Sequence, residues 1–217
     1  MSQPASDIHA NQPVLTWGAP LESARAALIL VHGRGASAAD ILSLAGEVAG
    51  PDVAAFAPQA FGNTWYPHRF LAPIEANEPY LTAALAAVGR LVERVGAAGL
   101  PMAQIVIAGF SQGACLALEY AARNPARYGG VIGLSGGLIG PEGSPFDYPG
   151  SMEGAPVFLG VADNDFHIPV ARVQESAAAF ERLGAKVTAR LYTGVGHTVV
   201  DDEIVYLRDL IAGIGRA

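Results

Sequence analysis

The sequence predicts an α/β protein, a mostly parallel central sheet with helices on both faces. Three observations predict it. Short, continuous apolar runs alternate with stretches of helical periodicity along the 217 residues, the pattern of strands covered on both faces and joined by crossover helices. About half of the chain is hydrophobic (51%) and only 15% is charged, enough for a sizeable core and too apolar for disorder. No composition shift, internal repeat or low-complexity tract marks an internal boundary. Residues 1–13 therefore read as a flexible polar tail and residues 14–217 as a single domain.

Taken in order, AALILVHG (26–33) is a buried strand. AADILSLAGEVAG (38–50) is a helix, with Ile41, Leu42, Leu44 and Val48 on its apolar side and Gly50-Pro51 as its stop. DVAAFAPQ (52–59) is a second strand. Residues 78–100 form an amphipathic helix in which Leu81, Ala84, Leu85, Val88, Leu91, Val92 and Val95 recur at helical spacing. A strand (104–109), a helix (112–123) and strands at 130–136 and 156–162 come next. A helix (169–183), a strand (186–192) and a last helix (201–214) close the chain. Two connections are long, the aromatic segment 58–79 and the Gly/Pro-rich segment 137–156. Both follow strands, so both are expected at the carboxyl ends of the sheet, where such folds bind ligands, and either is a candidate lid.

Composition also excludes functions. A net charge of −7 without a Lys/Arg stripe argues against a nucleic-acid surface. The single cysteine excludes an internal disulfide framework. The start MSQPASDIHANQP has neither the basic nor the apolar part of a signal peptide, and no apolar run is long enough to span a bilayer. A soluble cytoplasmic protein is expected. No side-chain group has zinc or calcium spacing, so neither metal nor cofactor is expected.

The chemistry centres on Gly109-Phe110-Ser111-Gln112-Gly113, a G-x-S-x-G pattern between a strand and a helix. A sharp strand-to-helix turn crowds the positions two before and two after the serine, so both must be small. The same turn lifts the hydroxyl to a helix N-terminus, whose free N–H groups favour negative charge. A serine nucleophile needs a base and an orienting acid. Of the five histidines, His9, His32, His68, His167 and His197, only His197 follows the serine and the acid in the order this pattern uses. The segment VADNDFHIPV offers Asp163 and Asp165 as the acid, while Asp201 and Asp202 read as charges at the start of the last helix. The backbone N–H groups of Gln112 and Arg34, the latter between Gly33 and Gly35, are candidate oxyanion donors. Residues 33–38 also match the dinucleotide fingerprint G-x-G-x-x-A, but the next strand ends in FAPQ without the acid that fingerprint requires.

In order and spacing, LVHGRG, GFSQGA, GVADNDFHIP and GVGH resemble the phospholipase/carboxylesterase family of the α/β-hydrolase fold. That family includes the acyl-protein thioesterases and small bacterial carboxylesterases and lies close to the dienelactone hydrolases. The resemblance runs from about residue 14 to the end. It implies Ser111 as nucleophile, His197 as base and Asp165, the second Asp of the D-x-D-x-x-V-P motif, as acid; Ile168 stands in the Val position. It implies a serine hydrolase that cleaves short- to medium-chain acyl or aryl esters, thioesters or lysophospholipids through an acyl-enzyme. HGRGA in place of the HGLGD common in acyl-protein thioesterases speaks against long-chain lipidated-protein substrates. Ser111 where dienelactone hydrolases usually carry Cys speaks against their activity. The alternatives are a dienelactone-hydrolase-like enzyme, a non-catalytic binding protein on the same fold and, more remotely, a dinucleotide enzyme.

Trp65, Tyr66, Phe70, Phe110 and Leu138 are the candidate walls of an acyl pocket, with His68 and Arg69 beside it. Cys115, one helical turn past Ser111, reads as a small buried hydrophobe. The expected partner is a small ester, with no nucleic acid and no stable membrane insertion; a homodimer is left open.

Overall fold

The computed structural model describes residues 7–215. Seven strands form one sheet: β1 (Val14–Gly18), β2 (Ala26–Val31), β3 (Val53–Pro58), β4 (Ile105–Phe110), β5 (Gly130–Leu134), β6 (Pro156–Ala162) and β7 (Lys186–Tyr192). Their spatial order is β1-β3-β2-β4-β5-β6-β7. All neighbours are parallel except β1, which runs antiparallel on β3 from Val14 opposite Pro58 to Gly18 opposite Ala54. The helices are α1 (Ala38–Leu42), α2 (Ala45–Val48), α3 (Ile74–Asn77), α4 (Tyr80–Ala97), α5 (Gln112–Arg123), α6 (Val170–Arg182) and α7 (Asp201–Gly213).

The period-two alternation of the strands divides the core between the two faces. Ala27, Ile29 and Val31 of β2 join α4, α5 and α6, including Leu81, Val88, Leu91, Leu116, Val173 and Phe180. Ala26, Leu28 and Leu30 face the other way, onto α1, α2 and α7 through Ile41, Val48, Leu207 and Ile211. This is the α/β-hydrolase arrangement of a mostly parallel sheet clad on both sides.

Three differences from the sequence expectations have local causes. The helix expected over 38–50 is two short helices. The Ser43 hydroxyl bonds back to Asp40 O at 2.7 Å, and the chain tightens to three-residue bonds such as Leu44 N to Ile41 O, as a serine competing for helix carbonyls does. β1 was not anticipated: its half-exposed edge position leaves no continuous apolar run. The start of the chain is held rather than flexible over its described part, residues 1–6 lying outside it. His9 is 3% exposed; its Nδ1 accepts the Phe61 N–H at 3.1 Å and its Nε2 donates to Trp65 O at 3.0 Å. Burial lowers the His9 pKa below the usual histidine value, so the ring sits neutral among these partners.

Candidate active site

The loops that follow β2, β4, β6 and β7 meet at the carboxyl end of the sheet. Ser111, between β4 and α5, has φ 55° and ψ −118°, a conformation that costs a non-glycine residue about 1–3 kcal/mol and persists only where its surroundings impose it. They do. Ser111 N donates to Leu134 O at 2.9 Å, and its carbonyl accepts from Cys115 N at 3.0 Å. A Cβ on Gly109 would lie 2.3 Å from Gly113 O, and one on Gly113 would lie 2.1 Å from Val31 O. Only hydrogen fits at either position, which is the physical content of the two glycines in the motif.

The His197 ring, in the loop after β7, stands between the serine and an acid. Its Nε2 is 2.8 Å from Ser111 Oγ and its Nδ1 is 2.7 Å from Asp165 Oδ2. The Asp165 side chain is 0% exposed, and its other oxygen accepts from His167 N at 2.8 Å and Ile168 N at 3.1 Å. Burial by itself would raise this carboxyl. The bonds from His197 and from the two backbone amides outweigh it and hold the group below the usual aspartate value. An ionised Asp165 accepts from Nδ1–H, which leaves the Nε2 lone pair for the serine hydroxyl. Asp163 is exposed, with its amide bonded to Tyr192 O; Asp202 pairs with Arg190 and Tyr192. The geometry thus brings Asp165, not Asp163, to the imidazole. Phe110 and His167 both pack against the His197 ring, at centroid distances of 4.9 and 4.8 Å.

The Arg34 and Gln112 amides donate to no protein group among the described residues, and Gln112 N–H belongs to the first turn of α5, where donors have no helical partner. Their side chains have a second task that the sequence did not reveal. The Arg34 guanidinium donates to the carbonyls of Tyr66, Pro67 and His68 at 2.9, 3.0 and 2.7 Å. The Gln112 amide accepts from Trp65 N at 3.0 Å and donates to Tyr66 O at 2.8 Å. The aromatic loop is therefore stitched directly to the residues flanking the serine. His32 adds to this seam: buried, it accepts the Ala60 N–H at Nε2 and takes the Trp65 indole N–H on its carbonyl.

A cavity of about 300 Å³ opens beside Ser111. Of the residues expected to wall it, Tyr66, Phe70 and Phe110 do; Trp65 and Leu138 do not. Both are 0% exposed. Trp65 turns inward because its indole N–H needs the His32 carbonyl, and the Leu138 segment is drawn into the core, its N–H on Ser176 Oγ at 2.9 Å. His68 is not among the lining residues, whereas Arg69 is. His167 and Ile168 line the cavity without having been anticipated there; their place two and three residues after Asp165 was the available signal. Cys115 also lines it, but burial pushes its thiol up to about 12, far from thiolate reactivity.

Fold and site together define a member of the α/β-hydrolase class. The chain belongs to the phospholipase/carboxylesterase family, whose sequence model matches residues 18–213. A solved phospholipase/carboxylesterase from Dyadobacter fermentans is 44% identical, with a TM-score of 0.89 over 93% of this chain and 97% of that one. The solved esterase PE8 is 26% identical, with a TM-score of 0.73 over 94% and 98% of the two chains. Among curated proteins, acyl-protein thioesterase 1 of Saccharomyces cerevisiae is 32% identical over 116 residues, 52% of this chain and 51% of that protein. The chain thus spans about half the length of the curated relatives it matches. No helix among the described residues is long and apolar enough to cross a membrane.

Proposed function

We propose that the protein hydrolyses carboxylic esters or thioesters of short to medium acyl length by two-step acyl transfer. Ser111 Oγ attacks the carbonyl carbon while His197 Nε2 takes its proton; Asp165 holds the imidazole in the required tautomer and stabilises its charged form. The Arg34 and Gln112 N–H groups stabilise the oxyanion. His197 then protonates the departing alcohol or thiol, leaving an acyl-serine. Water, deprotonated by the same imidazole, releases the acid and restores the serine.

The observation that carries this reading is the unbroken chain of hydrogen bonds of 2.7 and 2.8 Å from carboxylate through imidazole to a strained serine. Relatives with esterase, carboxylesterase and thioesterase names support the reaction class. The small cavity favours a short acyl group. Ser111→Ala is expected to lower turnover of an activated short-chain ester by about 10³-fold or more and to abolish labelling by a fluorophosphonate, with an unchanged melting profile. Near-normal turnover by that variant would overturn Ser111 as the nucleophile, and a wild-type protein that neither labels nor hydrolyses would leave a binding protein on a hydrolase fold instead.

A further inference from the structure

Acyl transfer as described leaves one cation at the cavity without a task. Elsewhere the chain pairs arginines with carboxylates: Arg25 with Asp52 at 2.6 Å, Arg123 with Glu119 at 2.7 Å and Arg172 with Glu175 at 2.8 Å. Arg69 is exposed and lines the cavity beside Ser111. Its guanidinium forms no ion pair among the described residues and makes one long contact, 3.5 Å from Nη2 to His167 O. Most of its five N–H donors are therefore open to solvent.

The backbone beneath this side chain is fixed. Asn77, 0% exposed, accepts from His68 N at 2.8 Å and donates to Arg69 O at 3.2 Å. Ala72 N also donates to Arg69 O, at 3.0 Å. His167 links the guanidinium to the reacting centre, since its carbonyl meets Arg69 and its ring packs against His197. The surroundings have one sign of charge. Arg34, the other arginine at the cavity, gives its guanidinium hydrogen bonds to neutral carbonyls. No Asp or Glu is among the cavity's lining residues, although the chain carries a net charge of −7. An exposed guanidinium gains little from a carboxylate in open water. Here Phe70, Phe110 and Ile168 supply apolar walls, and a bound substrate displaces water from between them. A two-pronged guanidinium–carboxylate contact is stronger in such a place.

We propose that this site selects esters that carry a carboxylate, received by the Arg69 guanidinium at the rim of the cavity. The reaction is the acyl transfer proposed above, on which this selection rests, with the same products, acid and alcohol. The carboxylate belongs to the acyl part or to the alcohol part of the ester, and the test separates the two.

Hydrolysis is measured by proton release at about pH 8, where the carboxylates are ionised, for two pairs of esters of matched shape. Monoethyl succinate against ethyl levulinate places the charge on the acyl part; 3-acetoxypropanoate against 4-acetoxybutan-2-one places it on the alcohol part. The expected result in wild type is kcat/KM about tenfold higher for the charged member of at least one pair, which identifies the side. The ratio is expected to fall to about one in Arg69→Met and to keep part of its value in Arg69→Lys. Each ratio is taken within one protein, so partial unfolding of a variant cancels. Equal rates within both pairs in wild type would overturn the proposal. So would a preference that survives Arg69→Met, which would assign selection to Arg34 or His167. Calorimetric binding of the four esters to Ser111→Ala repeats the comparison without turnover. About tenfold tighter binding of a charged member, lost in Ser111→Ala/Arg69→Met, supports the subsite even if the acyl-transfer reading fails, and equal binding within both pairs overturns it. Failure of that reading appears separately, as absent fluorophosphonate labelling.

Discussion

Two long connections leave parallel strands at the same end of the sheet, and they meet opposite fates. Segment 58–79, after β3, sends Tyr66, Arg69 and Phe70 to the cavity. Segment 137–156, after β5, sends it nothing; Leu138, Ile139, Phe146 and Met152 are buried in the core. Length does not separate them, and each carries aromatic rings, Trp65, Tyr66 and Phe70 in the first and Phe146 and Tyr148 in the second. What separates them is where their backbone carbonyls and amides find partners. The first is bonded by side chains that flank the reacting serine, Arg34 and Gln112. The second is bonded by buried charges away from it. Arg172 donates to the carbonyls of Leu138, Gly140 and Pro141 and stacks over Phe146, and Glu119 accepts from Ile139 N and the Tyr148 hydroxyl. A loop belongs to the site when the site's own residues complete its hydrogen bonds. The two segments are also tied to each other: Gly140 N donates to Phe70 O at 2.9 Å.

The sharpest way to break this comparison is to remove the inner anchor. Arg172→Met is expected to lower stability by about 4 kcal/mol, since three carbonyls lose a buried cationic donor. Urea unfolding measures it. The expected loss of activity follows the fraction unfolded, and a stable variant with altered acyl preference would show that segment 137–156 belongs to the site after all.

A second change sharpens it by targeting an anchor that titrates. Glu203, 2% exposed at the start of α7, accepts the Val200 N–H at 3.1 Å beneath the loop that carries His197. Burial pushes its carboxyl up to about 7 from 4.5. The native state therefore holds this proton more tightly than the unfolded chain does. Its stabilising effect is complete below pH 4.5 and is lost as pH rises through about 7. Glu203→Gln is expected to match wild type at low pH and to exceed it at pH 8 by up to about 3 kcal/mol. The difference between melting curves of the two proteins across pH reads this directly, because contributions from His9 and His32 are common to both.

The smallest effect expected is the most local. Gln112→Ala keeps the backbone N–H and removes the two bonds to Trp65 and Tyr66. Activity is expected to fall about tenfold, mainly in kcat, as the cavity wall and the amide pair lose their common brace. Equal loss after the exposed change His68→Ala, which leaves the Arg34 bond to the His68 carbonyl in place, would erase the distinction between bracing side chains and bystanders.

How much of this was legible beforehand follows from how local each signal is. β2, β3, β4, β5 and β6 announce themselves because both of their faces are buried, which writes a continuous apolar run into consecutive residues. The turn at Ser111 is legible because its steric demand falls on positions two before and two after it. The choice of Asp165 over Asp163 was legible only through the family resemblance; the inward turn of Trp65, the burial of His9 and Leu138, and the bracing by Arg34 and Gln112 were not legible at all. Each depends on groups tens of residues away in the chain, such as Asp165 and His197 or His9 and Trp65. Sequence by itself determined the buried strands, their alternation with helices and the backbone of the nucleophile turn, because those are set by neighbours along the chain. Only the tertiary structure decided which loop and which aromatic rings face the cavity, because a polar group takes its partner from whatever the fold brings within about 3 Å.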